Sequence, residues 1–212
     1  VKAGRNPRNI ALDIIGRINP ATGKREGGVI GLTSNQTDAV IKARSELQNL
    51  DTNYFTRQRR DARFDKTIRK AIADGKPLTA DQIDKITGRY KDRLLQLRGE
   101  TIARTEAITA LRAGTHEGFA QLVDSGAVRA DQIRLTWSAT GDGRTRDTHT
   151  SLNKQAITFG GTFVSPSGAM LSYPGDTSHG ASGAETIQCR CTANYRIMPN
   201  EKLRSIGGRL GQ

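Results

Sequence analysis

Two cysteines separated by one residue, Cys189 and Cys191, together with His149 of a charged loop, are the side chains best suited to hold a soft metal ion. In an extended strand, residues two apart face the same side. Both thiolates are therefore presented together, and an imidazole completes three of the four ligands of a zinc(II) site. Asp142, Asp147, Asp176 and His179 are the candidates for the fourth. The same spacing equally suits two small buried apolar side chains, because Ile187, Ala193, Tyr195 and Ile197 fall on the cysteine face. Cysteines this close are poorly placed to bridge each other, which points to a reducing compartment at synthesis.

The loop 141–149 gathers Asp142, Arg144, Arg146, Asp147 and His149 directly after an alternating segment that ends near Trp137. It admits three readings. The carboxylates cap turns and pair with Arg144 and Arg146, so that the loop is fixed by its own charges. Alternatively His149 joins the two cysteines around a metal. Alternatively His149, Asp142, Asp147 and Glu185 form a hydrolytic centre, as in a metal-dependent nuclease or a toxin-like effector. The sequence contains neither a Gly-x-Ser-x-Gly elbow nor a phosphate-binding Gly-x-x-x-x-Gly-Lys-Ser/Thr loop. It has no defined catalytic motif, and an enzyme is not the expected class.

The elements that must position these residues follow from periodicity. Asn6-Pro7 opens a short helix with Ile10, Ile14 and Ile18 on one stripe, stopped at Asn19-Pro20 and followed by a flexible polar link to Gly28. Thr33 and Gln36 have capping-box spacing ahead of a helix to about Leu50, and a second helix covers Phe64, Ile68 and Ile72 and ends at Gly75. Thr79 and Gln82 repeat the box before Ile83, Ile86, Tyr90, Leu94 and Leu97, with Gly99 as a kink or interruption. Beyond it Ala103, Ala107, Ala110, Gly114 and Gly118 make a face of small residues, read either as core or as a surface toward another subunit. Alternation then replaces the helical period: Ile133, Leu135 and Trp137 on one strand, a hairpin about 163–173 with a tight turn at Pro174-Gly175-Asp176, and a last long strand over 187–197. The fold class is α+β, a helix-rich N-terminal half followed by a small module of strands with some helix. Residues 1–32 form an arm and linker, 33–126 a helical region, 127–199 the α+β module packing on helix 101–125, and 200–212 a flexible tail.

The 212 residues carry 33 Lys+Arg against 21 Asp+Glu, a net charge of +12, which draws polyanions. The densest cluster, Arg57, Arg59, Arg60, Arg63 and Lys66, reads as a solvated helix face or as contacts to DNA phosphates. No apolar run is long enough to cross a bilayer as a helix, so a membrane partner is not expected.

In order and spacing, Arg104-Thr105-Glu106, Trp137, Asp142-x-Arg144-x-Arg146-x-x-His149, Phe163, Pro174-Gly175-Asp176, Glu185 and Ile187-Gln-Cys189-Arg190-Cys191 form a constellation over about 101–197. It resembles the Mu F-like family of phage head morphogenesis, or minor head, proteins. Gln188 stands where that pattern often has Asn, and Lys154 where it commonly has Gly. The resemblance implies a tailed-bacteriophage virion protein of the head and portal vertex, made in the host cytoplasm. Such a protein acts in procapsid assembly, DNA packaging or genome delivery. The implied partners are the portal protein, capsid or scaffold proteins, packaged double-stranded DNA and further copies of itself. No cofactor is implied, zinc being the one the residues would accept. An internal DNA-binding virion protein and the nuclease or effector are the alternatives.

Overall fold

The computed structural model describes residues 6–23 and 25–198, and the expected tail 200–212 lies outside the described residues. The chain divides into two compact units that meet within one long helix, residues 1–103 and 104–212.

In the first unit, Asn6 caps α1 (Pro7–Ile15) by accepting from the Arg8 amide, with Pro7 in the first turn. The helix stops short of Ile18, because Gly16 turns the backbone left-handed at φ 84°. The expected flexible link is instead a small antiparallel hairpin, β1 (Arg17–Ile18) with β2 (Arg25–Glu26). Turn chemistry of the Asn19-Pro20 type, combined with the close passage of Gly16 and Gly28 backbones, outweighs the polar composition.

Thr33 and Gln36 exchange reciprocal side-chain bonds at the start of α2 (Ser34–Gln48), and Thr79 and Gln82 do the same before α4 (Ala80–Asp124). Between them lies α3 (Asp65–Ala73). Their shared core is Ala43, Leu47, Tyr54, Ile68, Ile83, Ile86, Tyr90 and Leu94. The Ile83–Leu94 stripe is thus spent on the chain's own interior and is not open to a partner.

Helix α4 runs unbroken through Gly99. The glycine serves packing rather than bending: a Cβ there would lie 2.5 Å from Ile15 Cγ2 and 3.2 Å from the Ala11 carbonyl. Its missing side chain is the seat on which α1 rests.

In the second unit, β3 (Ile133–Ser138) is the centre of a three-stranded antiparallel sheet between β4 (Ala156–Thr158) and β7 (Thr192–Ile197). Alternate residues Ile133, Leu135 and Trp137 are buried, as the period of two requires. A separate hairpin pairs β5 (Phe163–Val164) with β6 (Met170–Leu171). The core adds Leu152, Phe163, Leu171, Cys189 and Cys191, with Phe119 and Val123 of α4 against it. Two short helices, α5 (Asp147–Ser151) and α6 (Gly183–Thr186), complete the unit. The expected strand over 187–197 is shortened. Residues 183–186 are helical, Gln188 takes a left-handed φ of 55°, and pairing begins only at Thr192. The fold class is α+β.

Candidate functional site

The sheet register explains why the distant motifs meet. Ser138 at the end of β3 pairs with Thr192 at the start of β7. The loop leaving β3 and the Cys189-Arg190-Cys191 segment entering β7 therefore share one end of the sheet. The first delivers His149 on α5 and the second delivers the two cysteines.

His149 Nδ1 lies 3.6 Å from Cys189 Sγ and 3.5 Å from Cys191 Sγ. These donor atoms all fall within 4.8 Å of one another, and all three residues are buried. On the other side of the ring, His149 Nε2 is 2.8 Å from Glu185 Oε2. Thr148 Oγ1 donates to the same oxygen at 3.3 Å, and Ser167 Oγ donates to Oε1 at 2.8 Å. Burial pushes the Glu185 carboxyl up, but the hydrogen bonds from Ser167, His149 and Thr148 outweigh it and hold it below its ordinary value. A hydrogen bond from Cys189 holds the Cys191 thiol well below the usual range, against burial. Donation to Cys191 and burial push Cys189 up. Trp137 sets its ring edge-to-face on His149, centroids 5.2 Å apart, and on Phe163, 5.1 Å apart.

The charged loop keeps part of the expected pairing, Asp142 capping the turn and meeting Arg144 at 4.0 Å, and takes its main partners from outside the loop. Asp142 takes both terminal nitrogens of Arg190, which keeps its carboxyl well below the carboxylate range. It also caps the Arg144 amide at 3.1 Å, whereas the Arg144 side chain is exposed, 4.0 Å away. Arg146 donates to the Ile187 carbonyl, not to Asp147, which starts α5. Asp147, Asp142, Asp176 and His179 lie outside the trio that gathers around a common point. Asp176 closes its own turn: its carboxylate accepts from the amides of Ser172 and Ser178, each at 2.8 Å. His179 Nε2 is 3.0 Å from Ser172 Oγ.

Of the Arg104-Thr105-Glu106 triplet, the central residue makes the contact. The Gln188 amide donates to Thr105 Oγ1 at 3.0 Å, while Arg104 and Glu106 are exposed. Sequence reasoning missed two α4 residues. Arg112 donates to the carbonyls of Pro174 and Cys189, both at 3.2 Å, and so ties the Pro174-Gly175-Asp176 turn to the cysteine segment. His116 stacks on Phe159 and bonds the Tyr195 hydroxyl through Nδ1 at 2.9 Å. Their spacing from Thr105 on one helix is the signal that was present.

The two departures from the family pattern have a common physical meaning. Lys154 has φ 68° and Gln188 φ 55°, the left-handed region that Gly and Asn tolerate. Replacing Lys154 with Gly is expected to stabilise the second unit by about 0.5–1 kcal/mol, since relief of left-handed strain exceeds the entropy cost of glycine. Urea unfolding followed by Trp137 emission measures it; a lower midpoint for Lys154→Gly would contradict the strain argument.

The basic cluster lies in the first unit, and much of it is already paired. Arg57 grips Glu46 with bonds of 2.6 and 2.7 Å, Arg60 meets Asp65 at 2.9 Å, and Arg63 meets the buried Asp61 at 2.6 Å. Arg59 and Lys66 are exposed.

Among known proteins, no curated protein and no solved structure matches the chain. The family model described as Phage Mu protein F like protein matches residues 62–194, well over half of the chain and inclusive of the histidine-cysteine cluster, the Pro174-Gly175-Asp176 turn and the Thr105–Arg112 stretch of α4. The chain belongs to this Mu F-like family of phage head proteins.

Proposed function

We propose that the chain is a structural and morphogenetic minor head protein that binds the portal and acts in procapsid assembly, DNA packaging or genome delivery. The observation that carries this reading is the family match over residues 62–194. Membership in a phage head family implies a place in the virion among other phage structural proteins, and no helix of the described residues is long and apolar enough to cross a membrane. Its motif residues act by shape. Asp142, Arg190, Arg112, Asp176 and Glu185 each spend their bonding capacity inside the second unit, fixing loops to helix and sheet.

The contact surface favoured for the portal, or for capsid, scaffold or further copies of the chain, is the open face of α4 beyond the unit boundary. Leu111 is 72% exposed there, and Gly114 and Gly118 have nothing within 4 Å of an added Cβ. A large apolar side chain flanked by glycines lets a partner helix come close. Leu111→Glu is expected to abolish co-purification with co-expressed portal while leaving Trp137 emission and thermal unfolding unchanged. Undiminished capture by the portal would refute the placement. Packaged DNA is a further partner supported by the net charge of +12. Arg59 and Lys66 are then the phosphate contacts, because Arg57, Arg60 and Arg63 would have to give up carboxylate partners first.

A further inference from the structure

We propose that His149 Nδ1 and the sulfurs of Cys189 and Cys191 bind one zinc(II) ion, with a solvent molecule as fourth ligand. The inference stands apart from the head-protein reading, and either can fail without the other.

Donor spacing is the first argument. Around a tetrahedral zinc with Zn–S near 2.3 Å and Zn–N near 2.0 Å, neighbouring donors lie about 3.5–3.8 Å apart. The two nitrogen-sulfur separations here are 3.5 and 3.6 Å. The sulfurs are within 4.8 Å of each other, so the triangle closes on the ion with little rearrangement.

The tautomer is the second. Glu185 is an acceptor on both oxygens, since Ser167 and Thr148 already donate to it. The 2.8 Å contact to His149 Nε2 therefore places a proton on Nε2, and in the neutral ring this leaves the lone pair on Nδ1, the nitrogen beside both sulfurs. A carboxylate behind the far nitrogen of a ligating histidine is how metal sites fix ring orientation and raise ligand basicity. Two thiolates and an imidazole select zinc over the hard cations calcium and magnesium.

The cluster also has an outlet. A cleft of about 10 Å³, lined by Thr140, Arg144, Arg146, His149 and Cys191, opens beside it. That is roughly the space one water requires. Two thiols serving only as small apolar side chains need neither the oriented imidazole nor the carboxylate and hydroxyl shell behind it.

Zinc here would join α5 to the segment after α6, closing a loop of chain between His149 and Cys189 in place of a disulfide. The test uses the full-length chain, purified under reducing conditions without chelator. Expected are stoichiometric zinc by elemental analysis, and, after exchange with cobalt(II), thiolate-to-cobalt absorption in the near ultraviolet with tetrahedral bands in the visible. Cobalt should also quench Trp137, the sole tryptophan, whose ring sits 5.2 Å from that of His149. Glu185→Gln is expected to weaken zinc binding by roughly 10–100-fold with the cobalt spectrum otherwise kept. Cys191→Ser should lose both metal and the charge-transfer band. If that variant fails to fold, protection of both wild-type thiols from alkylation until a strong chelator is added serves instead. Reduced wild-type chain that neither carries zinc nor takes up cobalt overturns the proposal, as does undiminished zinc in a folded Cys191→Ser.

Discussion

Phe163→Ala is expected to cost the second unit about 3–5 kcal/mol, a large part of the roughly 5–15 kcal/mol that holds a domain folded. Phe163 is fully buried, pairs with the equally buried Leu171 across the β5–β6 hairpin, and sets its ring edge-to-face on Trp137. Truncation empties a volume that neither neighbour can fill. The sheet holds Trp137 by its register, and the hairpin has only two residues per strand with which to move inward. The damage reaches the site, because Trp137 stands between Phe163 and His149. Phe163→Leu, which keeps most of the volume, should cost less than about 1.5 kcal/mol. Trp137 is the sole tryptophan, so its emission during urea unfolding reports this unit alone. A loss under about 1 kcal/mol for the alanine variant would mean that the hairpin is not part of the cooperative core.

What the sequence made legible was local. Capping boxes at Thr33 and Thr79 are written within four residues, and the reciprocal bonds form as written. Burial of Ile133, Leu135 and Trp137 follows from alternation alone. The readings that changed depended on distant partners. Gly99 reads as a break until Ile15, far away in sequence, is known to occupy the space of its missing side chain. A continuous strand over 187–197 was the natural inference from alternation. It fails at Gln188, where the Thr105 hydroxyl takes the amide that a strand neighbour would have taken. Among the candidate site residues, the meeting of His149 with Cys189 and Cys191 needed only that two loops share one end of a sheet. The partner of Asp142 was out of reach, since the motifs themselves offer Arg104, Arg144, Arg146 and Arg190 and only folding places Arg190 against it.

Asp176→Ala is expected to remove about 1–3 kcal/mol from the second unit, because the carboxylate that accepts from the amides of half-buried Ser172 and exposed Ser178 is lost. The carboxylate is 1% exposed, so its charge is held by these bonds and not by water. Burial pushes Asp176 up, but the two amides and the Ser178 hydroxyl outweigh burial and hold it below its ordinary value of 3.8. The sign of the pH dependence follows. A carboxyl whose folded value is depressed contributes fully above the unfolded value, and that contribution is lost as pH falls through the folded one. Wild type should therefore exceed Asp176→Asn at pH 7 by an amount that shrinks below pH 3.8 and closes once the native carboxyl is protonated. Other acids titrate alike in both proteins and cancel in the difference. Asp61, held down to about 2 chiefly by Arg63, belongs to the first unit and does not move Trp137. A gap that stays constant from pH 7 to strong acid would show that Asp176 works as a spacer and not as a charge. The loss should also travel. Gly175 at φ 86° brings the turn so near Arg112 that an added Cβ would stand 3.2 Å from Nη1, while the same guanidinium holds the Pro174 and Cys189 carbonyls. Loosening the turn in the alanine variant frees Arg112, and faster alkylation of Cys189 than in wild type is the expected sign that the helix α4 anchor of the cysteine segment has gone with it.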